Sequence, residues 1–454
     1  MRWWMWVVAV LFLLLSAVIA VRIHGSIAFA DTQAELKSMG FATTMAEFVA
    51  SAPTVDRGRQ ERLRRLMVTY PAGSWLVDTS KAMPAHHLQG QRFRADDLTK
   101  RDQALRDGAA DVAEAEAIFA EGPVELSLFG WCERDPVKLA GIDFATAIAT
   151  PLPNLLSVRG YANWWSIRAC LDEDPAPHLR NLDRLAAAMR HPGTLIDAMI
   201  AIAVGKIRDQ TYLWLATRGR LPSAEQEAWM REEPEQRAWC AAGFAGERCL
   251  FQEPLSRMSW GSMGLPGSGM FSNTLMGLRI WLTQGHEAAY NCAIIATAEA
   301  GVLGRPGPTP RPMPFGYPGA FGAAMMPHLL QAGVAGVEAA NAHRLQRCAV
   351  LVAVAYRQQH ALPAALPASP LAAALAADLP PLRYEVLSPS RFRIGVDPTG
   401  PPPSIPAGRF VSDIGKPAST KAYIMRESSL WSLEIDLDAI LIPPPEKPAK
   451  AKKP

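Results

Sequence analysis

Residues Leu152 to Ala216, LPNLLSVRGYANWWSIRACLDEDPAPHLRNLDRLAAAMRHPGTLIDAMIAIAVGKIRDQTYLWLA, decide the fold. Leu155, Val158, Ala162, Trp165 and Ala169 recur every three or four residues, the period that lines side chains along one helix face. An acidic turn ending in Pro175 closes that run. Leu179, Leu182, Leu185 and Met189 then repeat the pattern until His191-Pro192-Gly193 breaks it, and a third helix begins at Leu195. Joints this short imply antiparallel neighbours, and the alanine content lets the axes approach closely. No single hairpin of this kind buries its apolar face alone, so the expected body is a mainly α, helical-repeat-like array of hairpins.

Towards the N-terminus the pattern stays helical. Arg94 to Glu121 spaces Leu98, Leu105, Val112 and Ile118 for one buried stripe, and Tyr70 to Gln91, rich in Pro, Gly and His, fits a connector. Asp56 to Thr69 packs five arginines around Leu63, Leu66 and Met67, the composition of a solvated helix face, with contact to anionic lipid as the alternative. Thr32 to Ser51 fits a short stalk helix. In it, Thr43 or Thr44 ahead of Glu47 has the spacing of a capping box.

The first residues fix the compartment. WWMWVVAVLFLLLSAVIAV, Trp3 to Val21, holds no charge in 19 residues, and at about 1.5 Å per residue it reaches roughly 28 Å, close to a bilayer's hydrocarbon thickness. Trp3, Trp4 and Trp6 favour the headgroup level. The run is too long for a signal-peptide core, and Ala28-Phe29-Ala30, the one cleavage-like triplet, lies nine residues beyond it. A retained anchor is therefore expected, with a cleaved, secreted form as the alternative. The short N-terminal tail favours a single pass through the inner membrane with the body outside the cytoplasm.

Towards the C-terminus, Leu221-Pro222-Ser223-Ala224 has helix-start chemistry, and Glu235 to Arg257 continues as helix. Trp260 to Met270, WGSMGLPGSGM, lacks the GK[ST] of a phosphate loop and fits a flexible crossing. Asn273 to Val302 and Ala320 to Tyr356 are long Ala-rich helical patterns, neither apolar enough for a second span. The period then changes to two. Leu382, Tyr384 and Val386 alternate, as do Phe392, Ile394 and Val396, with Ser388-Pro389-Ser390 as a three-residue turn between two strands. Lys421 to Met425 and Leu430 to Leu437 have further strand patterns. The hairpin needs an apolar surface, and the helix ending near Gln359 offers one, the Leu366 to Leu379 run making the return. The Pro/Lys-rich tail from Pro443 has nothing to bury.

A chain of 454 residues with 49% hydrophobic and 20% charged residues is globular in composition, and a net charge of +3 supplies no global reason to bind nucleic acid. Six cysteines form no CxxC. Cys240 and Cys249, the nearest pair, would stand about 13 Å apart along a helix, so buried free thiols are expected. No motif implies a cofactor. His86-His87, with only Asp78, Asp96 and Asp97 nearby, does not make a metal set. If the chain were an envelope hydrolase, its acid–base candidates would be His86, His87, Glu247 and His286. Tyr161, Trp164 and Trp165 could anchor a partner, core packing being the plainer role.

These pieces together resemble a group of uncharacterised, single-pass envelope proteins of planctomycete-type bacteria. The likeness rests on AELKSMGFATTMAEF, the hairpin block from Leu155 to Val204, LPSAEQEAWM, AGERCLF, AYRQQHALPAAL and PPLRYEVLSPSRFRIGVDPTG. Where that group carries DPFSGKPL this chain has DLPPLRY, so its C-terminal hairpin is a shortened version. The order of long helix, YRQQHALP and small sheet also resembles the pseudopilins of type II secretion, without their Gly and Glu processing residues. The resemblance implies an architecture and no activity. The expected organisation is an anchor over 1–30, stalk and connector over 31–91, helical body over 92–379, a small β region over 380–442 and a tail over 443–454. The expected function is a membrane-tethered scaffold whose partners are the bilayer and another envelope protein or peptide.

Overall fold

The structure, a computed structural model, describes residues 3–51, 56–69, 74–79, 95–126, 156–231, 236–252, 255, 270–309, 320–367, 382–396, 425–429 and 432–437. His86, His87, Cys132, Leu155, the glycine-rich crossing over 260–269, the return over 368–379, the residues 421–424 and the tail lie outside them. The chain is mainly helical, with a small antiparallel sheet near its C-terminus.

Helix α1, Trp3–Ser38, runs 36 residues without a break and is long and apolar enough to cross a membrane. Its second half packs along α12, Met270–Val302. Leu36 is fully buried with Phe41, Cys292, Ala296 and Ala300. The helix stops at Gly40, whose φ of 79° is a glycine conformation, and the Phe41 amide returns to the Leu36 carbonyl at 3.0 Å. Helix α2, Met45–Ala50, starts as its sequence implies: the Thr44 hydroxyl accepts the Glu47 amide at 3.1 Å and the Glu47 carboxylate accepts the Thr43 amide at 2.8 Å.

The residues expected as a stalk are built into the body. Helix α3, Arg57–Arg64, and the π turn Arg65–Thr69 bury Leu63 and Met67 in the main core while Arg64 and Arg65 pair with Glu61. The expected connector contains helix α4, Ser74–Asp78, because Trp75 finds a seat on Gly108, where a Cβ would come within 2.8 Å of the indole. Gly108 also divides the helix expected over Arg94 to Glu121 into α5, Ala95–Asp107, and α6, Ala109–Ala120. Leu105, Val112 and Ile118 keep the buried stripe; Leu98 is half-buried.

The three helices of the opening stretch are α7, Leu156–Leu171, α8, Ala176–Ala188, and α9, Leu195–Thr217. Each touches both others, so they close on themselves. Tyr161, Trp165, Leu179, Leu182, Leu185 and Met189 are buried, which makes the aromatic cluster part of the core. Helix α10, Ser223–Arg231, lies against α8. Helix α11, Gln236–Glu247, continues through the π turn Arg248–Gln252, and α13, Ala320–Gln359, packs along α9. The five described cysteines are buried and unbridged, and burial pushes the Cys348 thiol up to about 11.

Strands β1, Leu382–Ser388, β2, Arg391–Val396, β3, Met425–Ser429, and β4, Ser432–Asp436, form one sheet in the order β1-β2-β4-β3, all pairs antiparallel. Ser388 pairs with Arg391, so the turn is two residues, Pro389-Ser390, not three; a bulge between Val386 and Ser388 takes up the extra residue. Of the strand expected over Lys421 to Met425 only Met425 is described, and it belongs to β3. The sheet docks on α13 through β2 and β4. Phe392 faces Ile435 and Ile394 faces Leu433, all four buried, whereas Val386 on edge strand β1 is 45% exposed and does not join the apolar face as its alternation implied. On β2 and β4, Arg391 and Arg393 grip Glu434: burial alone would raise that carboxyl, and the two arginine hydrogen bonds outweigh it and hold it low.

Candidate functional site

Helix α9 is enclosed by α7, α8, α11 and α13. Four consecutive residues, Arg208, Asp209, Gln210 and Thr211, point in four directions about 100° apart and are all buried, which only an enclosed helix allows. From α13, His343, Arg344, Gln346 and Arg347 are buried as well. Where the two helices meet, the ionisable side chains form one network.

His343 Nδ1 hydrogen-bonds the Asp209 carboxylate. Arg208 stands beside the same carboxylate at 3.4 Å and reaches Asp183 of α8 at 3.7 Å. The Tyr212 hydroxyl donates to Asp183 at 2.8 Å. The Tyr212 ring stacks on Trp229 of α10 with centroids 4.5 Å apart, and the Arg347 guanidinium lies 5.2 Å from the same indole while donating to the Trp229 carbonyl at 2.7 Å. His343 meets the indole edge-on at 6.0 Å.

Among Asp183, Asp209, Arg208, Arg347 and His343, two carboxylates, two guanidiniums and a neutral imidazole sum to zero, the condition under which charges tolerate burial. Burial would raise Asp209, but His343, Arg208 and Arg347 together hold it low. Burial pushes the His343 imidazole below its ordinary value, and the pull of Asp209 does not overcome this. Burial, then Asp183, pushes Tyr212 well up. An ionised Asp209 needs a donor, so Nδ1 carries the His343 proton and Nε2 keeps a bare lone pair. This is the tautomer of a proton-accepting imidazole oriented by a carboxylate.

Of the residues singled out from sequence, Glu247 and His286 are described, and each is bonded in its own setting. Glu247 accepts the Leu195 amide at 3.1 Å and so caps the start of α9, where Asp197 also accepts the Gly193 and Thr194 amides at 2.9 and 3.1 Å. Gly243 and Gly246 bring α11 flush against that turn; a Cβ at Gly243 would lie 2.9 Å from the Thr194 carbonyl. Burial, then the Leu195 bond against it and Asp197 with it, pushes Glu247 up to about 7. His286, on α12, faces His24 of α1 at 3.4 Å. Nearby, Arg248 ties the turn after α1 to α12: it donates to the Ala42 carbonyl and to Glu299 at 2.6 Å, and lies 5.3 Å from the Phe41 ring. Asp209 and His343 escaped the sequence reading because 134 residues separate them and both stand in ordinary helical patterns. The one available signal was the polar run Lys206 to Thr211, broken only by Ile207, inside an otherwise apolar helix.

A groove of about 620 Å³ runs between the end of α8 and residues 119–125, with Arg184, Arg190, His191 and Glu125 on its walls. Among the described residues no three His, Cys, Asp or Glu side chains gather as a metal site. No family model, no curated protein and no solved structure matches the chain.

Proposed function

We propose that this protein is a membrane-tethered helical scaffold of the bacterial envelope, anchored in the inner membrane by α1, with its body outside the cytoplasm and offered to another envelope protein or peptide. The observation that carries the reading is the continuity of α1. From Trp6 to Leu15 its large apolar side chains are 44 to 68% exposed, while Gly25, Thr32 and Leu36 of the same helix are buried on the body. Leaving that many apolar side chains in water costs on the order of 10 kcal/mol, which lipid removes. Continuity also favours a retained anchor over a cleaved signal, because Ala28-Phe29-Ala30 lies within packed helix and cleavage after Ala30 would strip Phe29 from its cluster with Leu36. The scaffold reading is supported by where the acidic and basic groups singled out from sequence are spent: Glu247 on a helix cap and His286 on α1.

Membrane fractionation with N-terminal sequencing, a C-terminal topology reporter, and crosslinking in intact cells followed by pulldown test the three parts. A carbonate-resistant protein beginning before Asp31, reporter activity outside the cytoplasm and a reproducible crosslinked partner are expected. A mature N-terminus at Asp31, cytoplasmic reporter activity, or recovery only as an isolated monomer overturns the corresponding part.

A further inference from the structure

Helix α10 has nine residues, fewer than the roughly 12 to 15 an isolated helix needs in water, so it is held by what it touches. Two of its side chains are buried, Glu225 and Trp229. Glu225 takes a 2.8 Å bond from Arg180, whose side chain is 51% exposed, and such a bond contributes up to about 1 kcal/mol. The larger share of the hold falls to Trp229, with the partly buried Met230 beside it: the indole lies between the Tyr212 ring and the Arg347 guanidinium, the His343 ring stands perpendicular to it, and the Trp229 carbonyl accepts a bond from Arg347.

Two buried ring nitrogens at this contact, Trp229 Nε1 and His343 Nε2, have no hydrogen-bond partner among the described residues. Each such atom costs roughly 1–3 kcal/mol, a penalty charged to the closed position of α10 that opening it would relieve. The helices beneath carry no such weakness of attachment: α9 and α13 are 23 and 40 residues long and pack on each other. Local opening is expected to begin at such a short, lightly anchored element.

We propose that α10 is a lid, with Trp229 as its plug, over a proton-accepting imidazole at His343, and that the place the plug fills takes a planar aromatic ligand carrying an N–H or O–H donor. When α10 lifts, the Tyr212 face, the Arg347 guanidinium and His343 Nε2 line the space the indole held. A flat ring repeats the stacking and cation–π contacts of Trp229. Its donor meets the Nε2 lone pair, the contact that the indole itself does not make.

The test uses the full chain in detergent, following amide exchange by mass spectrometry and carbethoxylation of His343 by diethyl pyrocarbonate. The amides of Glu227 to Arg231 should exchange at least tenfold faster than those of α9 and α13, and His343, buried as it is, should be modified at the rate of that opening. Glu225→Ala should raise both rates several-fold and leave exchange in α9 unchanged. Trp229→Gly should bind phenol better than toluene, because only phenol offers a donor to Nε2. If Trp229→Gly does not fold, the Glu225→Ala comparison decides the lid. Exchange of α10 in one step with α9 and α13, with His343 modified only in that step, overturns the lid. Equal binding of phenol and toluene overturns the donor-bearing ligand.

Discussion

Gly25 of α1 and Gly285 of α12 meet backbone to backbone: a Cβ on Gly285 would stand 2.5 Å from the Gly25 carbonyl carbon and 2.6 Å from its oxygen. Backbone atoms do not move aside as a flexible side chain does. Gly285→Ala should therefore force α1 and α12 apart at a cost of about 1–3 kcal/mol, seen as a lower melting temperature and faster proteolysis between α1 and α2. Gly301→Ala is the control, since nothing lies within 4 Å of a Cβ there. In the last turn of α12 it should leave stability unchanged or raise it by less than about 1 kcal/mol.

Phe392 and Val386 face each other across β1 and β2, yet only Phe392 reaches the core. Phe392→Ala should cost about 3–5 kcal/mol and Val386→Ala well under 1 kcal/mol by urea unfolding. Truncation at Pro380 should likewise lower the melting temperature, and removal of 443–454 should not. Equal effects of the two truncations would mean that the sheet contributes nothing to the body.

Glu247 makes stability depend on pH in a stated direction. Its carboxyl binds a proton up to about pH 7 when folded and only up to the ordinary carboxylate value when unfolded. The folded state thus holds more protons between the two values, and stability falls as pH rises through that window. Glu247→Gln keeps an acceptor for the Leu195 amide and has no charge to bury. Relative to wild type it should gain on the order of 3 kcal/mol between pH 4 and pH 8.5, read from urea midpoints. His343 acts oppositely: its folded value lies below the ordinary one, so acidification below about pH 6.5 should weaken the joint of α9 and α13.

Arg248 and Glu299 are a buried pair, 1 and 8% exposed. Removing Glu299 leaves Arg248 buried without its carboxylate, and removing Arg248 leaves Glu299 only the partly exposed Arg305 at 4.0 Å, so Arg248→Met or Glu299→Gln should cost about 3–5 kcal/mol. The double variant Arg248→Met with Glu299→Leu should recover much of that loss, measured as a double-mutant cycle.

How legible the fold was depended on whether a residue's partner was near in sequence. The periods of α7, α8 and α9, the helix cap at Thr44 and the alternation of β1 and β2 are local, and each lies where its pattern put it. Trp75 was passed over in a Pro- and Gly-rich stretch because its seat is Gly108, in another helix. Val386 obeyed the alternation of its strand and still faces solvent, because β1 is an edge and the surface of α13 is taken by β2 and β4. Glu247 and His286 were chosen for residue type, and residue type does not reveal that one caps a helix from outside and the other meets the end of an apolar span. The Asp209–His343 joint needs two helices to be placed before it exists at all.

A rod shared by the apolar segment and the body transmits angle as well as position. Each residue of α1 turns the helix by about 100° and advances it by about 1.5 Å. One residue inserted between Leu15 and Ala17, where the helix is exposed, would swing the face that the body presents through more than a quarter turn about the rod, with the contacts from His24 onward intact. The heading of this protein is therefore written in the residue count of a single helix, and a tilt or roll of its outer end is carried straight to Leu36 and the core around it.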